Sequence, residues 1–371
     1  MVINMKKVLI KFMIWVVLLL PVKVKAADMV REQYEKLEEK FQAIRTYDDI
    51  SEMGYRIIEE QVFSEVFESF GKEPVLFVPA KDKKYNRMSV FIVDADGRVL
   101  FKTNQLETNY QAKGVMRQPT REIAAVSFID VNQDMLKDIV LITRCKNSQG
   151  AYKDKKYKVG DVLFQKEKVF YRDYRISEKI NRFSMNKSAK CIISYVRDSK
   201  STEFLYTATT IEELLEGGLQ VINEQSYPRS FEKLGKLQVV PGTYSMGDYD
   251  VFMVYLINEQ GDIVWSFQPM EDYDSLYSLR GISCKDVDGD GMKDIVVLGR
   301  YSYEEPDGNI LVESACSIYY QRTGGFDTDT EFRNHFVCTD AHKLDDVIRE
   351  IRAYWGWQLE EVSTKGDGKL K

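Results

Sequence analysis

Along most of the chain, apolar residues alternate with polar ones or come in short blocks closed by turn residues, the pattern of strands. Val75 to Val78, Ser89 to Val93 and Val99 to Lys102 are rich in β-branched and aromatic side chains, and "DADG" between the last two predicts a hairpin. Ile123 to Ile129 and Ile139 to Thr143 predict strands on either side of an acidic loop, and Val162 to Gln165 with Val169 to Tyr171 predict another hairpin. Helical spacing is confined to the edges. Val30, Tyr34, Leu37, Phe41 and Ile44 recur at steps of four and three, giving one apolar stripe on a charged helix too short for a coiled coil and expected to pack on the first β unit. "TTIEELLEGG" (209–218) and "TDAHKLDDVIREIRAYWG" (339–356) each begin at a Thr or Asp cap and stop at glycine.

The pattern occurs twice. Residues 59–79 read against 223–241, pairing Gln61 with Gln225, Phe63 with Tyr227, Phe67 with Phe231 and Gly71 with Gly235, 164 positions apart. "VFIVDADGRVLF" from Val90 meets "VYLINEQGDIVW" from Val254 at the same offset. "DVNQDMLKDIVLI" from Asp130 meets "DVDGDGMKDIVVL" from Asp286, and "VLFQKEKVF" from Val162 meets "IYYQRTGGF" from Ile318, at an offset of 156. One eight-residue deletion in the second copy reconciles the two offsets.

The predicted fold is mainly β: two tandem duplicated antiparallel β units, propeller-like blades or a sandwich, with short helices at the N-terminus, between the copies and at the C-terminus. The division that follows is a signal peptide at 1–26, an N-terminal helical segment at 27–58, a first β repeat at 59–185, and a connection with a short helix at 186–222. A second β repeat with its C-terminal helix occupies 223–356, and a tail 357–371.

The first 26 residues have lysines, an apolar run from Phe12 to Leu20 and small residues before Asp28, the layout of a secretory signal cleaved after Ala26. An uncleaved membrane anchor is the alternative; once processed, no stable membrane span is expected. Removal takes away five lysines and no acid, moving the formal charge from −6 to −11. So acidic a chain repels phosphate backbones and is a poor match for nucleic acid, whereas divalent cations suit it. The five cysteines (Cys145, Cys191, Cys284, Cys316, Cys338) have no close-spaced framework, and their odd number leaves at least one unpaired within the chain. "HFVCTDAH", with His335, Cys338 and His342, fits no familiar zinc spacing.

The sharpest chemistry is "DVDGDGMKDIVVLG", Asp286 to Gly299. Asp286, Asp288 and Asp290 stand at positions 1, 3 and 5, Gly291 permits the bend, Met292 offers its backbone carbonyl, and Asp294 closes the ring at position 9. Carboxylates this close repel one another without a cation, and oxygen donors in this number suit calcium. An EF-hand would need an acid at position 12, where Val297 stands, and a helix where "DIVVLG" reads as a strand. The loop resembles the calcium loops of FG-GAP and VCBS-type repeats, found in integrin-like propellers and many secreted bacterial proteins. The resemblance implies that Asp286, Asp288, Asp290 and Asp294 ligate calcium. A many-bladed ring of that kind would show a loop in most blades, and this chain has two. The first loop supplies Asp130, Asn132, Asp134 and Asp138, with Met135 where the bend prefers glycine, so weaker binding is expected there.

Function reads best as a secreted, non-catalytic calcium-binding module that engages a surface glycan or a cell-surface protein. An exported carbohydrate-active hydrolase is an alternative, although no G-x-S-x-G or H-E-x-x-H motif occurs and there are only two histidines. An envelope assembly component docking through the N-terminal helix is another, and exposure or burial of the helix stripe discriminates it.

Overall fold

The computed structural model describes residues 32–110, 120–147, 156–271, 273–305, 308–329 and 331–357. The proposed signal peptide, Val30 of the apolar stripe and nearly all of the tail lie outside these. The fold is mainly β, in four antiparallel sheets with few, short helices.

β1 (Tyr55–Ile57), β2 (Phe63–Glu65), β3 (Val75–Asp82), β4 (Met88–Val93) and β5 (Val99–Thr103) form a sheet in the order β1-β3-β4-β5, with β2 also paired to β3. β6 (Thr120–Ile129), β7 (Asp138–Lys146), β8 (Lys156–Lys166) and β9 (Val169–Tyr171) form the next, in sequence order. The plan then repeats. β10 (Gln220–Val221), β11 (Tyr227–Phe231), β12 (Gly235–Met246), β13 (Tyr249–Ile257) and β14 (Ile263–Phe267) copy the first sheet. β15 (Ser275–Lys285), β16 (Asp294–Glu304), β17 (Ile310–Arg322) and β18 (Gly325–Thr328) copy the second.

The duplication reaches upstream of the matching sequence blocks. Thr46 caps the helix Tyr47–Glu52 and bridges to Arg98; Thr210, 164 residues on, caps Ile211–Glu216 and bridges to Asp262. Strand register corrects the single-deletion reading. Ile57 pairs with Ala80 and Val221 with Gly242, so β12 stands 162 residues from β3 while the strands beside it keep 164. The turn entering β12 is shorter by two residues and the connection leaving it longer by two, since Val90–Thr103 and Val254–Phe267 pair again at 164.

Two compact units share these sheets. One holds the described residues up to Val66 with Glu73–Lys84 and Ser89–Thr103. In it, the helix over 32–43 lays Phe41 and Ile44 into a core with Tyr55, Val78 and Phe91, with the Phe41 and Phe91 rings 5.7 Å apart. Of the stripe, Phe41 and Ile44 are therefore buried on their own sheet, and half-buried Leu37 packs against the same cluster.

The other unit holds Phe67–Lys72, Tyr85–Met88 and the described residues from Asn104 onward. β16 is covered on both faces: Ile295 and Val297 face one cluster with β13, while Val296 and Leu298 face Val347, Ile348 and Ile351 of the helix Leu344–Tyr354. Two-sided burial explains why "DIVVL" is a continuous apolar run. Two helices went unread in the sequence, Tyr174–Arg182 capped by Asp173 and Ala189–Asp198 capped by Ser188. They bury Ile180 and Ile192 against Val140 and Ile142 of β7; each is short, and the first is mainly polar. The C-terminal helix starts later than its sequence implied. Lys343 occupies the cap position, with the Asp346 carboxylate accepting from its amide at 2.9 Å, and Thr339 to His342 form a turn instead. No helix among the described residues is long and apolar enough to cross a membrane.

Candidate metal centre

Each acidic loop joins two paired strands, β6 to β7 and β15 to β16, so its two ends are fixed by a ladder. The last acid of each loop is the first residue of the following strand. Asp294 is fully buried; its Oδ2 accepts from the Val287 amide at 2.8 Å, and its Oδ1 from the Gln321 amide on β17 at 2.9 Å. Asp138 repeats this with Val131 at 3.0 Å and Gln165 at 2.8 Å. These carboxylates stitch loop, strand and neighbouring strand together. Burial pushes Asp294 up to about 7, against its two amide donors and helped by Asp288 and Asp290; Asp138 is pushed up to about 6 in the same way.

The first acid of each loop organises the turn. Asp286 accepts from the amides of Gly289 at 2.7 Å and Gly291 at 2.9 Å; Asp130 accepts from Asp134 at 3.2 Å and Met135 at 2.8 Å. A glutamate outside the loop holds its far side: the Lys293 amide donates to Glu232 at 2.8 Å, and the Lys137 amide to Glu68 at 3.0 Å. Neither glutamate was singled out in the sequence. Their signal was the recurrence of Phe-Glu in "FESFG" and "FEKLG", inside the duplicated block.

Of the expected ligands in the second loop, the fold brings Asp286, Asp288 and Asp294 together, with one carboxylate oxygen from each lying within 4.8 Å of the others. Oxygens ~2.4 Å from a common calcium ion lie at most ~4.8 Å apart, a limit this set meets, and a donor set of carboxylates alone suits a hard cation. Asp290 is not in the group. Its Oδ2 is paired with Arg322 of β17 at 2.9 Å, and the same guanidinium reaches Asp288 at 2.8 Å. Its Oδ1 accepts from the amide of Met292 at 2.8 Å. Arg322 thus neutralises part of the loop, and a cation entering here competes with it for Asp288.

The first loop assembles no such group; among the described residues the second loop's is the one trio of its kind. Asn132 donates its side-chain amide to Asp134 Oδ2 at 3.0 Å, tying down a carboxylate with a neutral donor, and Lys166 stands where the second copy has Arg322. The backbone is also less favourable. Gly289 and Gly291 have φ of 83° and 84°, whereas the equivalent Gln133 and Met135 are forced to 63° and 68°. A non-glycine residue in this region costs ~1–2 kcal/mol, partly offset by the ~0.5–1 kcal/mol of extra chain entropy that glycine loses. The double change Gln133→Gly with Met135→Gly should therefore raise stability by about 1 kcal/mol. A chemical-denaturation midpoint that stays put or falls would show that these residues are not strained.

The "HFVCTDAH" residues do not converge. His335 meets the Glu331 carbonyl at 2.9 Å, and the His342 ring nitrogen accepts from the Thr339 amide at 3.1 Å. Their rings pack on Tyr354 and Phe336.

No protein-family model matches the chain, and no curated protein matches it. Among solved structures it is similar to the crystal structure of the exotype rhamnogalacturonan lyase YesX, at 11% identity and a TM-score of 0.20, over 73% of this chain and 48% of that one. The chain therefore spans about half the length of the lyase structure. So loose a likeness carries no argument about fold or chemistry.

Proposed function

We propose that the chain is an exported β-repeat protein braced by calcium and working as a non-catalytic interaction module outside the cell or at its envelope. The observation that carries this reading is the convergence of Asp286, Asp288 and Asp294 beside the buried link from Asp294 to β17. These three side chains would hold the ion, with Asp290 and the Met292 carbonyl as further donors once Arg322 yields. The bound ion supplies charge neutralisation that lets the acids stay together. Asp130, Asn132, Asp134 and Asp138 form a second, weaker candidate for the reasons given above.

A non-catalytic role is supported by the absence of a hydrolase motif in the sequence and by the engagement of both histidines in local packing. Phe41 and Ile44 are buried in the core, which disfavours docking through that part of the N-terminal helix.

The test is thermal unfolding in 10 mM calcium against chelator. A site with a dissociation constant near ~0.1 mM stabilises the folded state by about 2.7 kcal/mol at 100-fold excess. That corresponds to a rise of roughly 3–5 °C for a chain of this size. A melting temperature unmoved by calcium removes the metal from the reading. Pull-down from cell-surface extracts with the calcium-loaded protein then addresses the partner.

A further inference from the structure

The fold sorts the five cysteines into two kinds. Cys145, Cys191 and Cys284 are buried, each beside a partner of different chemistry. Cys145 meets the Thr108 hydroxyl at 3.5 Å, Cys191 donates to the Met246 carbonyl at 3.0 Å, and Cys284 meets the Tyr227 hydroxyl at 3.5 Å. Cys316 and Cys338 instead line one cavity together and pack on the same apolar cluster. They sit 22 positions apart, Cys316 on β17 and Cys338 in the segment leading to the C-terminal helix.

Their meeting belongs to a register. Two residues back along β17, on the same face, Ser314 donates to Asp340 at 2.5 Å, and Asp340 lies two residues beyond Cys338. Arg300 on the neighbouring β16 holds the other Asp340 oxygen at 3.2 Å. With Ser314 opposite Asp340, a segment running antiparallel along β17 sets Cys316 opposite Cys338, and Phe336, Cys316 and Cys338 pack on one apolar cluster. Both thiols also line a cavity of ≈480 Å³ that gives a reagent access to them.

We propose that Cys316 and Cys338 form a disulfide when the chain meets a disulfide oxidant, whether a small molecule such as oxidised glutathione or a thiol–disulfide exchange protein. Cys338 attacks first. The neighbouring Cys316 thiol and the nearby Arg280 cation hold the Cys338 thiol below the usual range, while the same neighbour and burial raise Cys316. The Cys338 thiolate attacks one sulfur of the oxidant, whose disulfide breaks and releases a thiolate that takes up the Cys338 proton. Cys316 then attacks the Cys338 sulfur in the mixed disulfide, and the second oxidant thiolate leaves with the Cys316 proton. Two thiols have lost two electrons and two protons, and one oxidant disulfide has become two thiols. The bridge staples the C-terminal helix segment to β17 and leaves three interior thiols reduced, which accounts for the odd number.

The full chain, purified under reductant and exchanged into oxidised glutathione, tests this by alkylation under denaturing conditions and peptide mapping. Three alkylated cysteines and a peptide pair joining Cys316 to Cys338 are expected, with a melting temperature about 5 °C above that of the reduced protein. The Cys316→Ser variant should trap a glutathione adduct on Cys338, and the double Cys316→Ser, Cys338→Ser variant should melt at one temperature with or without reductant. Five alkylated cysteines, or a bridge that includes Cys145, Cys191 or Cys284, would overturn the proposal.

Discussion

Replacing Asp294 with alanine should destabilise the protein by about 3 kcal/mol, because it strands two buried amides at ~1–3 kcal/mol each while relieving the cost of burying a carboxylate. The amides are those of Val287 and Gln321, at opposite ends of the link between loop and β17. Asp294→Asn keeps one acceptor oxygen but turns an NH2 group toward the second amide, so roughly half of the loss is expected. Neither variant should retain a calcium-dependent shift of the parent's size. Urea unfolding at constant m-value reads both losses, and Asp138→Ala, with the same two-amide pattern, serves as the parallel case in the first copy. The exposed Asp96→Ala should change little. An Asp294→Ala variant as stable as the parent would show that the carboxylate does not pin the loop.

Phe67→Ala should cost about 4 kcal/mol, the range for emptying a fully buried aromatic site. Phe67 is 0% exposed and meets Phe170 edge-on at 5.0 Å and Phe128 at 5.5 Å, with Phe70 at 6.4 Å. Such contacts add ~0.5–1.5 kcal/mol beyond burial. The next residue, Glu68, holds the far side of the first loop through the Lys137 amide, so loosening the ring also loosens the loop. Phe231 is the counterpart in the second copy, with its closest ring partner Phe326 farther off at 6.0 Å. Phe231→Ala should therefore cost less than Phe67→Ala. The reverse order in denaturation midpoints would mean that ring contacts do not set the difference.

Much of this protein is written locally. Strands β3 to β9 follow the alternation, turn residues and apolar runs read from the sequence, usually with ends a few residues longer because ladder hydrogen bonds extend them past the strongest residues. The acidic loop was legible because positions 1, 3, 5 and 9 of a tight turn are a local code, as is the glycine at the bend. The duplication was legible because two copies of a pattern need no fold to be compared.

Other features depend on residues brought together from far along the chain. Arg322 reaches Asp288 and Asp290 only because β17 pairs beside β16, and that pairing separates Asp290 from the carboxylates it was expected to join. Glu68 and Glu232 clamp loops more than 60 residues away. The two-residue shift in β12 surfaced in strand register, since a shortening compensated within a few residues leaves the flanking offsets unchanged. The sequence by itself determined the strands, the repeat and the acidic turns, each set by neighbours within a few residues. Tertiary structure alone decided which carboxylates converge, which cation opposes them and which two thiols face each other, because sheet register sets those distances across tens of residues and no local preference encodes it.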